Sequence, residues 1–209
     1  MNTKIKIKII RHSERLDYTY PLYWIFFSGF GQYWLDPSLT SNGHAMAKEK
    51  AIVLAKAKPD FDPQYIYTSP YTRTIDTANE FQSIFTNAEV LIEPLLSEYQ
   101  PYFGHSTSIY PNGIPTTYNG NKTIFTYRES HANFCLRVQF IVSKLIEKHH
   151  NDIILVTHGE FIRIYANYIK TIYPELEFES DNVPYLTVLS FEYDKDNNQI
   201  IKDSVSIEQ

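Results

Sequence analysis

Residues 4–15 read KIKIKIIRHSER, and residues 152–160 read DIILVTHGE. In the first stretch lysine alternates with isoleucine at period two, the pattern of a strand whose two faces meet different surroundings, and the alternation ends at Arg11 and His12. In the second, an unbroken apolar run predicts a buried central strand, with His158 and Gly159 directly after it. Two strands that each deliver a histidine at the carboxyl end set the frame into which the intervening chain must fit.

Working outward, Leu39-Thr40-Ser41-Asn42-Gly43 supplies a cap for an alanine-rich helix running to about Ala57, where Pro59 and Pro63 stop it. Residues 64–69, QYIYTS, read as a strand, and 70–87 as a helix with Pro70 in its first turn. A short strand at 89–93 is closed by Pro94. Within 129–150, Phe134, Val138, Ile141, Val142 and Leu145 recur at helical spacing and define one apolar stripe. A helix through Phe161, Ile162, Tyr165, Tyr168 and Ile169 follows, and Tyr185 to Tyr193 reads as the last strand. Strands alternating with helices predict a single α/β domain over residues 1–209, with a mainly parallel central sheet flanked by helices. Two stretches lack periodicity. Residues 17–39 read as a long aromatic loop, and 99–128, rich in Tyr, Pro, Gly and Asn, as a lid insertion. The aromatic clusters read as packing of these loops on the domain, or as walls of a pocket entrance.

Hydrophobic residues at 43% and charged residues at 21% place the chain among soluble globular proteins. A net charge of -5 leaves no basic field for a polyanion, so no nucleic-acid partner is expected. The lysine-interrupted run at the start is too short for a signal-peptide core or a membrane span, and the single Cys135 excludes an intrachain disulfide. A cytoplasmic protein with no membrane partner is expected. Of six arginines, Arg11, Arg15 and Arg73 all fall at strand ends.

Ligands of open α/β sheets gather beyond the carboxyl ends of the strands. There the chain places Arg11-His12-Ser13-Glu14-Arg15, Ser69-Pro70-Tyr71-Thr72-Arg73 and Thr157-His158-Gly159-Glu160. Two histidines and three arginines suit one task, holding a phosphoryl dianion and attacking its phosphorus. Guanidinium charges also oppose an imidazolium, which keeps His12 neutral and nucleophilic. The leaving oxygen needs a proton from a carboxylic acid or another donor across the pocket. A metallohydrolase built on His12 and His158 is disfavoured, because the arginines repel a divalent ion and no HExxH pair is present; no metal and no cofactor are expected.

RHSER, LTSNGHAMA, SPYTRTIDTA, LLSEY and VTHGE, in that order, resemble the motifs of the histidine phosphatase, or phosphoglycerate mutase-like, superfamily. RHSERLD and EPLLSEY are most similar to the phosphatase module of the suppressors of T-cell receptor signalling. The resemblance implies a phosphoglycerate mutase-like fold and a phosphomonoester hydrolase in which His12 is transiently phosphorylated. It implies that Arg11, Arg15, Arg73 and His158 bind the phosphoryl group and that Glu98 is the acid, with Glu93 and Asp17 as competitors for that role. Arg15 has the blander alternative of pairing with Glu14 or Asp17. His44 is expected on the first helix and His105 in the lid, facing solvent. One departure is Ser13, where the family has glycine; it matters if that position needs a positive φ, and its hydroxyl could instead reach the phosphate. A phosphoglycerate mutase-type transferase is a second reading, against which Arg15 and Leu16 break the mutase pattern RHG-x-S-x-W-N. A phosphoryl-binding module without turnover is a third. The substrate is read only as a phosphorylated small molecule or a phosphoprotein, and the oligomeric state is not readable.

Overall fold

The computed structural model describes residues 4–28, 36–99, 129–179 and 182–209. Six strands, β1 (Lys4–Arg11), β2 (Tyr65–Thr68), β3 (Glu89–Ile92), β4 (Ile153–Thr157), β5 (Val188–Asp194) and β6 (Gln199–Glu208), form one sheet in the order β3-β2-β4-β1-β5-β6. The first four in that order run parallel, and β5 and β6 add antiparallel on the far side of β1. The central strand β4 is buried along its whole length, as its unbroken apolar run requires.

The alternation in β1 divides two cores. Ile5, Ile7 and Ile9, all fully buried, pack with Ile153, Leu155, Phe134, Val138 and Phe161 under helices α5 (His131–Lys148) and α6 (Gly159–Ile172). Ile10 turns to the other face, where Ile66, Ile154 and Val156 meet Ala47, Ala51 and Leu54 of α3 (Ser41–Ala57) and Ala78 and Phe81 of α4 (Thr72–Gln82). Each fully buried isoleucine contributes roughly 1.5–3 kcal/mol relative to exposure, so a one-residue slip of β1 would forfeit much of both cores. The predicted stripe of α5 is the buried one. Thr40 caps α3 by accepting from the Gly43 amide at 2.8 Å, and Ser130 caps α5 from Asn133 at 3.2 Å.

Four expectations need correction. Residues 16–28 are not a plain loop but the short helices α1 (Leu16–Thr19) and α2 (Pro21–Tyr23) and one π-helical turn, Trp24–Ser28. Of their aromatic side chains only Trp24 is buried, while Tyr18, Tyr20, Tyr23, Phe26 and Phe27 face outward, so this part of the cluster does not pack on the domain as read; Phe30, Tyr33 and Trp34 lie outside the described residues. Pro70 lies just outside α4, before its cap at Tyr71. The strand expected at 185–193 begins at Val188, after a turn in which Leu186 holds φ 60, and it is not the last. The missed β6 pairs with β5 across a register shift between Ser190 and Glu192, which breaks the period-two pattern in the sequence. The proposed lid at 99–128, with His105, lies outside the described residues apart from Tyr99. No helix among the described residues is long and apolar enough to cross a membrane.

Candidate active site

Parallel register places the chemistry. Arg11 of β1 stands opposite Thr157 of β4, and Thr68 of β2 opposite Val156, so His12, Ser69 and His158 are the first residues beyond three adjacent strands. The amides of His12 and Ser69 tie these exits together by donating to Thr157 O at 2.9 Å and Val156 O at 3.0 Å. Residue 98 reaches the same edge through the 3-10 turn Pro94–Leu96 that follows β3, anchored where Thr157 Oγ1 donates to Leu96 O at 2.7 Å.

His12 and His158 are both buried, with ring centroids 5.4 Å apart. Nδ1 of His12 lies 2.8 Å from Ser13 O. A carbonyl only accepts, so the ring proton sits on Nδ1 and the lone pair is left on Nε2. Burial, reinforced by the charges of Arg73, Arg11 and Arg15, holds the His12 imidazole well below its ordinary value, against the Ser13 bond. His158 is pushed well down as well, first by burial and then by Arg73 and His12. Its Nε2 meets Ser69 Oγ at 2.9 Å, and its Nδ1 faces Arg73 Nη2 at 3.4 Å and Glu98 Oε2 at 3.8 Å.

Arg73 is the largest fully buried side chain among the described residues. Nη2 donates to Glu98 Oε2 at 2.6 Å, Nη1 lies 3.7 Å from Asp36 Oδ1, and the guanidinium covers the Tyr71 ring at 4.3 Å. Asp36 is itself fixed by accepting from the Thr72 amide at 2.8 Å and its hydroxyl at 2.7 Å, at the start of α4. Arg11 donates to Val183 O and stacks on Tyr185 at 4.5 Å. Arg15 forms two 2.7 Å bonds to Asp17, the blander pairing, yet its charge still bears on both histidines. Nε of Arg11 and Nε and Nη1 of Arg73 are buried with no hydrogen-bond partner. Orphaned charged donors of this kind are costly, and an anion would satisfy them.

The structure thus brings together His12, His158, Arg11, Arg15, Arg73 and Glu98. Of the competitors of Glu98, Glu93 accepts from the Leu95 amide at 2.9 Å, and Asp17 holds Arg15. His44 stands on α3, 2.9 Å from Glu80. Glu160 turns to Arg163, away from the cluster. Ser13 donates its hydroxyl to Gly43 O at 2.7 Å, away from the pocket, and its φ is not positive. A Cβ at Gly159 would meet Arg11 only at ordinary contact distance, 3.4 Å, so that glycine is not demanded by crowding from Arg11. Sequence reasoning missed Asp36, Tyr185 and the role of Ser69. None carries a local signal, because each acts on a partner distant in the chain. Among the described residues, no group of three or more His, Cys, Asp or Glu is placed to hold a metal ion.

The profile of the histidine phosphatase superfamily (branch 1) matches residues 9–204. A protein named as an uncharacterized phosphoglycerate mutase family protein, from Acanthamoeba polyphaga mimivirus, is 52% identical over 204 residues, 98% of each chain. Among solved structures, the ecdysone phosphate phosphatase of Bombix mori superposes with TM-score 0.67 at 18% identity, covering 95% of this chain and 92% of that one. A phosphoglycerate mutase from Bacillus anthracis gives TM-score 0.63 at 16% identity, covering 97% and 92%. At such identities both show the fold alone: a mostly parallel central sheet flanked by helices.

Proposed function

The chain belongs to branch 1 of the histidine phosphatase superfamily, and from that premise we propose that it hydrolyses phosphomonoesters through a phosphohistidine at His12, without a metal or other cofactor. The observation that carries the reading is the set of buried guanidinium nitrogens of Arg11 and Arg73 that make no hydrogen bond, around a neutral imidazole with a free Nε2. A phosphoryl dianion would fill those donors and present its phosphorus to that nitrogen.

In the first step His12 Nε2 forms a bond to phosphorus as the ester P–O bond breaks, and Glu98 gives its proton to the departing oxygen. An arriving dianion competes with Glu98 for Arg73; the carboxylate freed from that ion pair, now beside the negative charge, first takes up a proton from solvent and so becomes the acid that the departing oxygen needs. In the second step water attacks phosphorus, Glu98 takes a proton from it, the P–N bond breaks, and phosphate leaves with His12 neutral again. His158 can donate to the phosphoryl group from Nδ1 by changing tautomer, because the Ser69 hydroxyl at Nε2 can donate as readily as accept. Tyr185, 5.7 Å from His12, and Tyr71, 5.2 Å from His158, would flank the leaving group.

The test is hydrolysis of p-nitrophenyl phosphate with chelator present, for wild type and His12→Ala. Turnover that survives chelation in wild type and falls by at least roughly a thousand-fold in the variant is expected. Equal activity of the two proteins would remove the nucleophile assignment, and transfer to a phosphoglycerate without phosphate release would favour a mutase.

A further inference from the structure

Glu98 stands in residues 97–99, which have no regular structure of their own, and its side chain is 41% exposed, so packing alone does not aim it. Its backbone is nevertheless gripped from one point. Arg137, on α5, donates Nη1 to Leu95 O at 2.7 Å and to Ser97 O at 2.9 Å, while Nη2 approaches Glu98 O at 3.4 Å. Glu129 fixes the same guanidinium through Nε at 3.1 Å and through Nη2. Phe134 lies beneath it at 4.8 Å.

Three carbonyl oxygens drawn to one place repel each other unless a cation sits among them, and a planar fork of donors matches that geometry as an ammonium cannot. Arg137 occurs three residues after Phe134 and four before Ile141, hence beside the buried stripe of α5, and its side chain is only 10% exposed, where a charge is costly unless paired. Its guanidinium donates to the backbone that carries Glu98 and to the carboxylate of Glu129, so these donors are spent on protein groups.

We propose that Arg137 is a positioning residue for the proton donor: by gathering the carbonyls of Leu95, Ser97 and Glu98 it sets where the Glu98 carboxyl stands relative to Arg73 and the leaving oxygen. This rests on the reading of Glu98 as the acid. A brace that only stabilised the fold would lower activity toward every ester alike. A residue acting through the acid lowers it most where the leaving group needs a proton.

The experiment compares turnover of phenyl phosphate with that of p-nitrophenyl phosphate, whose phenol is far more acidic and departs with little protonation. The ratio of the two rates in one sample does not depend on the fraction folded. General acid catalysis is worth about 10²–10⁴ in rate, so Glu98→Gln is expected to lower the phenyl-to-nitrophenyl ratio on the order of a hundred-fold. Arg137→Met should lower the same ratio by about tenfold, a partial loss of that acid catalysis. Arg137→Lys should lower it less, and Arg137→Met should add nothing to the ratio on the Glu98→Gln background. If Glu98→Gln lowers the ratio while both Arg137 variants keep the wild-type value, the proposal is overturned and Arg137 is a brace only. If Glu98→Gln leaves the ratio unchanged, or wild type hydrolyses neither ester, the acid reading itself fails and takes the proposal with it. Should Arg137→Met not fold, the lysine variant decides.

Discussion

A methyl group at position 43 would collide with the chain that carries the Arg11–Arg15 motif. Gly43 is buried in the first turn of α3, and a Cβ built there falls 2.4 Å from the carbonyl oxygen of Glu14 and 3.3 Å from its nitrogen and carbonyl carbon. Carbon and oxygen touch comfortably at about 3.3 Å, so Gly43→Ala forces a shift of about 0.9 Å between α3 and residues 13–15. Neither side gives easily. The Glu14 carbonyl accepts from the Thr40 amide at 3.1 Å, Thr40 Oγ1 donates to Glu14 Oε1 at 2.5 Å, and Ser13 Oγ donates to Gly43 O at 2.7 Å. Overpacking of this size costs about 1–3 kcal/mol. The segment that must move joins His12 to Arg15, and an ångström of misplacement at reacting groups costs on the order of a hundred-fold in rate. Urea denaturation and kcat/KM on p-nitrophenyl phosphate should therefore fall together for Gly43→Ala. A variant within about 0.5 kcal/mol of wild type and fully active would refute the reasoning, since the contact would then relax without moving the motif.

Because His12 and His158 are held well below 6.5 in the folded protein, they bind protons only after unfolding as the pH falls below that value. Stability must then rise with pH from the depressed folded values up to 6.5 and level off above, with a slope of at most about 1.4 kcal/mol per pH unit for each histidine. His12→Ala should shed its share of that slope in urea titrations between pH 5 and 7, and an unchanged slope would contradict the burial of a neutral ring. Ser13→Gly, which restores the family's residue, should cost about 1–2 kcal/mol through the lost bond to Gly43 and added chain entropy. Inhibition by inorganic phosphate should stay as in wild type, whereas a marked weakening would mean that the hydroxyl reaches the anion after all.

The sequence exposes this fold where one periodicity persists. The apolar run of β4 and the stripe of α5 record a burial pattern that the structure repeats, and the alternation of β1 does so as far as Ile7, beyond which Lys8 is buried as well. It is opaque where a side chain answers to a distant partner or the pairing is irregular. β6 alternates poorly because its register with β5 shifts, and the exposed aromatics of residues 16–28 carry the composition of a core without its position. The same contrast holds at the site. His12, Arg73 and His158 are marked by standing at strand ends, whereas Asp36 and Ser69 gain their meaning from Thr72, Arg73 and His158, which only the parallel register brings near. Arg137 did leave a trace, since a charged residue at the spacing of an apolar stripe must find partners, but the trace does not say which.

The counter-ions of the site follow one arrangement. Arg15 is neutralised by Asp17, and the buried Arg73 by Glu98 and Asp36. Without those carboxylates, a guanidinium 1% exposed would carry a desolvation penalty of several kcal/mol. The two partners of Arg73 are not equivalent. Asp36 is buried and pinned by Thr72, whereas Glu98 is 41% exposed on a segment held by its backbone. An anion entering the pocket can therefore displace Glu98 and not Asp36. On the phosphatase reading this asymmetry is what the reaction needs, because the carboxylate that the phosphoryl group dislodges is the one that must meet the leaving oxygen, and it is freed only when substrate has arrived.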